Sequence, residues 1–145
     1  MIYFDATFLV RLYVEEPGYA KVRALAKPNQ VVASSILGRL ETESAFHRKF
    51  REGAFDREGL REINAQLLRE VNFGLIQWYP LTPRIIEDVH EAFLSLPPSI
   101  FLRTGDAIRL ATASEAGFEE IYSNDRHLLA AAPIFKLKGM NPLAK

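Results

Sequence analysis

The chain has 145 residues, 48% hydrophobic and 25% charged, which suits one folded domain with a real core and excludes a disordered chain. Its 18 basic and 18 acidic side chains cancel, so net charge selects no class of partner, and the absence of cysteine excludes disulfides and thiolate chemistry. The longest uncharged apolar run, Leu128 to Phe135, is too short to span a bilayer. The chain opens directly on a strand-like run, so no secretory leader is expected. Together with the lack of cysteine, this makes a cytoplasmic setting the expectation.

Ile2 to Phe4 reads as a buried strand, and Thr7 to Glu15 as a helix with Phe8, Leu9, Leu12 and Tyr13 at helical spacing. Pro17-Gly18 breaks it, and a second short helix spans Tyr19 to Ala26 before Lys27-Pro28. Gln30 to Ala33 reads as a brief strand, after which Ser34-Ser35 can cap a long helix from Ile36 to about Arg51. Asp56 caps the next helix, Arg57 to about Val71. Ile76 to Leu81 is a strand candidate, and Thr82-Pro83 opens a helix that reaches Leu96 before Pro97-Pro98. A further helix runs from Thr104 to Gly117, followed by a strand at Glu120 to Ser123 and a short helix at Arg126 to Ala132. Ile134 to Leu137 is the candidate for a last strand. Strands separated by helices predict a single domain over 1–145, a three-layer α/β/α sandwich around a central, mainly parallel sheet.

Only five aspartates occur, and Asp5, Asp106 and Asp125 each sit where a loop or strand gives way to a helix. Each alone reads as a helix cap or a first-turn acid favoured by the helix dipole. Jointly they say more. In a parallel sheet, strands that lead directly into helices end on the same edge, so Asp5 and Asp125 face a shared crevice if their strands are near neighbours. Clustered carboxylates repel, and a hard cation such as Mg²⁺ or Mn²⁺ would reward the cluster. Spacing does not place Asp106 in the group, because no clear strand precedes it.

Four segments carry a resemblance. Ile2-Tyr3-Phe4-Asp5-Ala6-Thr7-Phe8-Leu9-Val10 resembles the opening of PIN-domain proteins, particularly the VapC-type toxin ribonucleases. Ser35-Ile36-Leu37-Gly38-Arg39-Leu40-Glu41 through Ala45-Phe46 resembles the helix on which that family carries an acid. Leu102 to Ala113, with Thr104-Gly105-Asp106-Ala107 at its centre, resembles the third acidic motif, and Tyr122-Ser123-Asn124-Asp125-Arg126-His127-Leu128 the fourth. The segments occur in the family's order across nearly the whole chain. One departure is Ala6, where the family often has a small polar residue; Thr7 keeps a hydroxyl beside it.

The resemblance implies a metal-dependent endoribonuclease in which Asp5, Glu41, Asp106 and Asp125 hold one or two Mg²⁺ or Mn²⁺ ions and carry catalysis. Thr7 and Ser123 would orient the carboxylates or water. It further implies an RNA substrate such as a transfer RNA or a ribosomal loop, a cognate VapB-like antitoxin, a homodimer and no membrane partner. Glu41 and Glu43 lie roughly 200° apart around a helix, so both cannot face one site. Periodicity does not choose between them; alignment to the motif selects Glu41, with Glu43 as the alternative.

Arg11, Arg103, Arg109 and Arg126 lie close in sequence to the acidic motifs, as candidates to hold RNA phosphates. His47, Arg48, Lys49 and Arg51 read as complements of a helix C-terminus. Phe46, Phe50, Trp78, Tyr79 and Phe93 have core-like spacing. Rival readings are a phosphatase of the haloacid-dehalogenase kind or a phosphotransfer receiver. The phosphatase wants an aspartate where Thr7 stands, and the receiver wants paired acids and a distal lysine that do not present themselves. Two further rivals are a catalytically silent PIN fold that only binds protein or RNA, and a housekeeping nuclease without an antitoxin.

Overall fold

The computed structural model describes residues 1–144. Strand β1 (Ile2–Tyr3) leads into helix α1 (Ala6–Tyr13), followed by α2 (Tyr19–Ala26). Strand β2 (Val32–Ser35) feeds α3 (Ile36–Arg51), and α4 (Arg57–Asn72) leads to β3 (Ile76–Tyr79). Helices α5 (Pro83–Ser95) and α6 (Thr104–Glu115) precede β4 (Glu120–Tyr122), α7 (Arg126–Ala131) and β5 (Lys138–Met140).

All strand pairings are parallel. β1 pairs with β2 (Ile2 opposite Val32) and β2 with β3 (Val32 opposite Ile76), while β4 pairs with β5 (Ile121 opposite Gly139). A single bridge, Phe4 to Tyr122, joins the two sets, supported by the Asp5 amide donating to the Tyr122 carbonyl at 3.1 Å. The sheet order is therefore β3-β2-β1-β4-β5, with the seam between β1 and β4 next to Asp5.

Alternation along the strands builds the layers. Ile2, Phe4, Val32 and Ile76 point to one face, where they pack with Phe8, Leu9, Val22, Phe46 and Leu67 from α1 to α4. Tyr3, Ala33 and Ile121 point to the other, against Ile85, Val89, Leu110, Ala111 and Leu128 from α5 to α7. Because both faces are covered, β1 and β2 are buried along their whole length, whereas β3, β4 and β5 are only partly buried. The α/β/α sandwich expected from the sequence is the observed architecture.

Some boundaries differ. The last strand is not Ile134–Leu137: Ala132–Phe135 is a 3-10 helix, and pairing begins at Lys138. Pro133 has no amide hydrogen to give a ladder, and Lys136 turns the chain through a left-handed conformation at φ 60° before the strand. β2 lies later than Gln30–Ala33, so Ser34 and Ser35 belong to the strand, and Ser35 also caps α3 by accepting from the Leu37 amide at 3.2 Å. β3 ends at Tyr79, because Pro80 cannot extend the ladder. Among the aromatic residues with core-like spacing, Phe46 is buried, Phe50, Trp78 and Tyr79 are half-buried, and Phe93 is exposed on α5.

Candidate metal centre

Because every strand runs the same way, the helices that follow them start from one edge of the sheet, and the acidic residues gather there. Asp5 follows β1 by two residues and caps α1. Its Oδ1 accepts from the Thr7 amide at 3.0 Å, the Thr7 hydroxyl at 2.6 Å and the Phe8 amide at 3.3 Å. Its Oδ2 accepts from the Ser123 hydroxyl at 2.6 Å, 118 residues away. Asp125 caps α7 by accepting from the His127 amide at 2.9 Å. Its own amide donates to the Ser123 hydroxyl oxygen at 2.9 Å, so Ser123 is held between both aspartates. Thr7 closes a second link, accepting from the Asn124 amide at 3.0 Å.

Asp106 lies in the first turn of α6 and is fully buried, as is Asp5. Two arginines tie these acids together. Arg109 Nη2 lies 2.9 Å from Asp106 Oδ1 and 3.3 Å from Glu41 Oε2, and its Nη1 lies 3.9 Å from Asp5 Oδ2. Arg103 donates from Nε to Asp106 Oδ2 at 3.0 Å and from Nη2 to Asp125 Oδ2 at 2.7 Å. Asp5, Glu41, Asp106 and Asp125 thus share one pocket. Glu43 points elsewhere: it pairs with Arg39 one turn back at 3.0 Å and lines a separate hollow with Asn64, Leu68 and Trp78.

The electrostatics follow from burial. Desolvation pushes the Asp5 carboxyl above its ordinary range, opposed by the hydroxyls of Ser123 and Thr7 and by Arg109. Desolvation also raises Glu41, with Arg109 pulling it down and Asp5 and Asp106 pushing it up. Ionising Asp5 and Glu41 therefore costs free energy, and a bound cation would offset that cost.

The pocket fits a hard cation in kind but not in its present side-chain arrangement. All its acidic donors are carboxylate oxygens, and two of them, Glu41 Oε1 and Asp106 Oδ1, are buried without a hydrogen-bond partner. Arg109 stands close to Asp106 Oδ1 but outside hydrogen-bond geometry. Yet among the described residues no three His, Cys, Asp or Glu side chains converge closely enough to hold an ion as they stand. The arginine forks occupy the space between the acids.

This arrangement was only half visible in the sequence. Arg103 and Arg109 stand among the candidate phosphate grips, but both are committed to carboxylates. Their spacing carried the signal, since each lies three residues from Asp106 and residues three apart on a helix are neighbours. Arg11 is also engaged, donating to the Thr7 and Pro17 carbonyls at 2.6 and 2.8 Å. The cations left exposed near the acids are Arg48 and Arg126. Arg48 lines a groove of about 320 Å³ with Thr7, Glu41 and Asn124.

Ser123 allows a test of the pocket's rigidity. Ser123→Ala leaves a buried Asp5 oxygen and the Asp125 amide each short of a partner, and is expected to cost about 1–3 kcal/mol of stability, read by urea unfolding. A loss below about 0.5 kcal/mol would mean the hydroxyl is not holding the two aspartates.

Comparison with known proteins then bears on the whole chain. No protein of curated function matches it. Among solved structures, Mycobacterium tuberculosis VapC20, a sarcin-ricin loop cleaving toxin, is similar at TM-score 0.68 and 19% identity, covering 90% of this chain and 95% of its own. Rickettsia felis VapBC2, bound to a DNA fragment from its promoter, aligns at TM-score 0.66 and 15% identity, covering 97% of this chain and 98% of that one. FitAB bound to the IR36 DNA fragment aligns at TM-score 0.69 and 12% identity, covering 100% and 97%. At such identities the likeness speaks for the fold. The profile of the PIN domain matches residues 2–133, which takes in all four acidic segments, and the chain belongs to the PIN domain family.

Proposed function

We propose that this chain is a metal-dependent endoribonuclease, the toxin of a VapBC-type pair, acting in the cytoplasm on a structured RNA. The observation that carries the reading is the meeting of four acids from four separate segments, with two buried carboxylate oxygens left unpartnered. Asp5, Glu41, Asp106 and Asp125 would hold Mg²⁺ or Mn²⁺. When bound, such an ion acidifies a water and offsets charge on the phosphate undergoing attack.

The chain's own groups do the positioning. Ser123 and Thr7 fix the Asp5 carboxylate through short hydroxyl hydrogen bonds, and Ser123 sets the backbone of Asp125. Arg48 in the groove and the exposed Arg126 beside Asp125, free of the carboxylates, would grip RNA phosphates, since most nucleic-acid affinity arises at the backbone. The name of the VapC20 neighbour supports RNA as the substrate class, and VapBC2 supports a VapB-like antitoxin as partner. A homodimer goes with the same reading. No helix among the described residues is long and apolar enough to cross a membrane.

The test is cleavage of a labelled structured RNA by the purified chain. EDTA is expected to abolish cleavage, and Mg²⁺ or Mn²⁺ to restore it; full activity in EDTA would end the metal mechanism. Glu41→Gln should lose at least about 10²-fold in rate, whereas Glu43→Gln should stay within about twofold, its partner being only Arg39 on the helix surface. Equal losses in the two variants would remove Glu41 from the site.

The closure of the pocket by Arg103 and Arg109 favours a second reading, a silent PIN fold that binds protein or RNA without cutting. It predicts RNA binding with no cleavage in any divalent ion.

A further inference from the structure

Arg109 lies in α6 with its side chain only 10% exposed, where an unpaired charge would be costly. Its fork reaches carboxylates from three segments of the chain: Asp106 in its own helix, Glu41 in α3 and Asp5 just after β1. Two backbone bonds set its position. Nε donates to the Gly105 carbonyl at 3.1 Å, laying the guanidinium back over the first turn of α6. The Arg109 carbonyl in turn accepts from the Tyr3 hydroxyl at 3.1 Å, which ties this turn to β1, the strand just before Asp5. Gly105 leaves the path open, since a Cβ there would stand 3.3 Å from Nη2.

The fork does not satisfy the pocket. Glu41 Oε1 and Asp106 Oδ1 remain without hydrogen bonds although a guanidinium stands beside both residues. Four carboxylates and two guanidiniums also leave a formal charge of −2 when all are ionised. Arg109 is thus the right charge for the place, but too few donors reach the acids and too little charge remains after Arg103 is counted. An arginine does not lose its proton at ordinary pH, so it leaves the site only by moving.

We propose that Arg109 is a positioning residue that serves as a built-in counter-cation, holding Asp5, Glu41 and Asp106 together in the metal-free protein and competing with a divalent ion for them. The competition rests on the metal-nuclease reading above; the apo stabilisation rests only on the contacts. Removing the charge should weaken the metal-free fold and strengthen ion binding, two opposite changes from one substitution. Loss of packing alone would give the first without the second.

The test compares the full-length parent with Arg109→Gln by thermal unfolding in EDTA and across a Mn²⁺ titration, and by calorimetry of Mn²⁺ binding. In EDTA the variant is expected to melt roughly 4–8 °C lower than the parent. Saturating Mn²⁺ should bring it back to the parent's Tm, with a Kd for Mn²⁺ at least about tenfold tighter. An unchanged Tm in EDTA, or a deficit that Mn²⁺ leaves in place, would overturn the proposal. Parent and variant binding Mn²⁺ equally would overturn it while sparing the metal reading; neither binding Mn²⁺ would overturn both. If Arg109→Gln does not fold, Arg109→Met, which also removes the charge but keeps the length of the apolar stem, replaces it under the same criteria.

Discussion

Asp106→Asn is expected to reduce RNA cleavage by at least about 10²-fold, the lower end of the cost of removing a preorganised electrostatic group. The residue is fully buried, sits at the junction of both arginine bridges, and carries an oxygen without a hydrogen bond. Asparagine keeps its shape and stays compatible with the first turn of α6, so the protein should still fold. Loss of cleavage with an intact circular dichroism spectrum is therefore the expected pair of results. It follows from charge: the substitution removes the carboxylate on which Arg103 and Arg109 converge. A variant that folds and cuts RNA at the parent rate would show that the acids gather for stability alone.

The largest effect on stability is expected from Phe4→Ala. Phe4 is fully buried at the seam between β1 and β4, with the Phe8 ring edge-on at 5.3 Å and the Tyr122 ring at 6.0 Å. That seam has one backbone bridge, and the Phe4, Phe8 and Tyr122 rings pack together beside it. Removing the ring should cost about 3–5 kcal/mol through lost burial and the cavity left behind. Against a total stability of roughly 5–15 kcal/mol, this is a large fraction. Urea unfolding would measure it, with Phe4→Leu expected to cost less. A cost near 1 kcal/mol for the alanine variant would mean that the two halves of the sheet are joined by other contacts. Because Asp5 follows Phe4 directly, the same substitution should also loosen the pocket.

Much of the architecture was legible from local rules. Apolar runs of strand length alternating with helical periods predicted the parallel sheet and its covered faces, and turn residues marked most boundaries. The miss at the C-terminal end has a local cause that periodicity does not detect: Ile134 and Leu137 are apolar enough for a strand, but Pro133 and the left-handed Lys136 make that segment a 3-10 turn. Phe93 was misplaced because helical spacing identifies a stripe, not what covers it.

Asp5 and Asp125 could be assigned to one edge of the sheet from the order of elements, because parallel strands followed by helices must end together. Asp106 could not, since it enters from a loop after α5, and its distance to the other acids depends on how α6 packs. The choice between Glu41 and Glu43 was likewise a matter of helix rotation: packing turns Glu41 toward Arg109 and leaves Glu43 beside Arg39. Chain order and residue chemistry were enough to set out the layers, the shared edge and the acids available to it. Which cations stand among those acids, and how tightly, came from contacts between residues far apart in the chain, such as the Ser123 to Asp5 bond across 118 positions. Local propensity acts over a few residues, whereas the closeness of charges is set by the three-dimensional packing of whole elements.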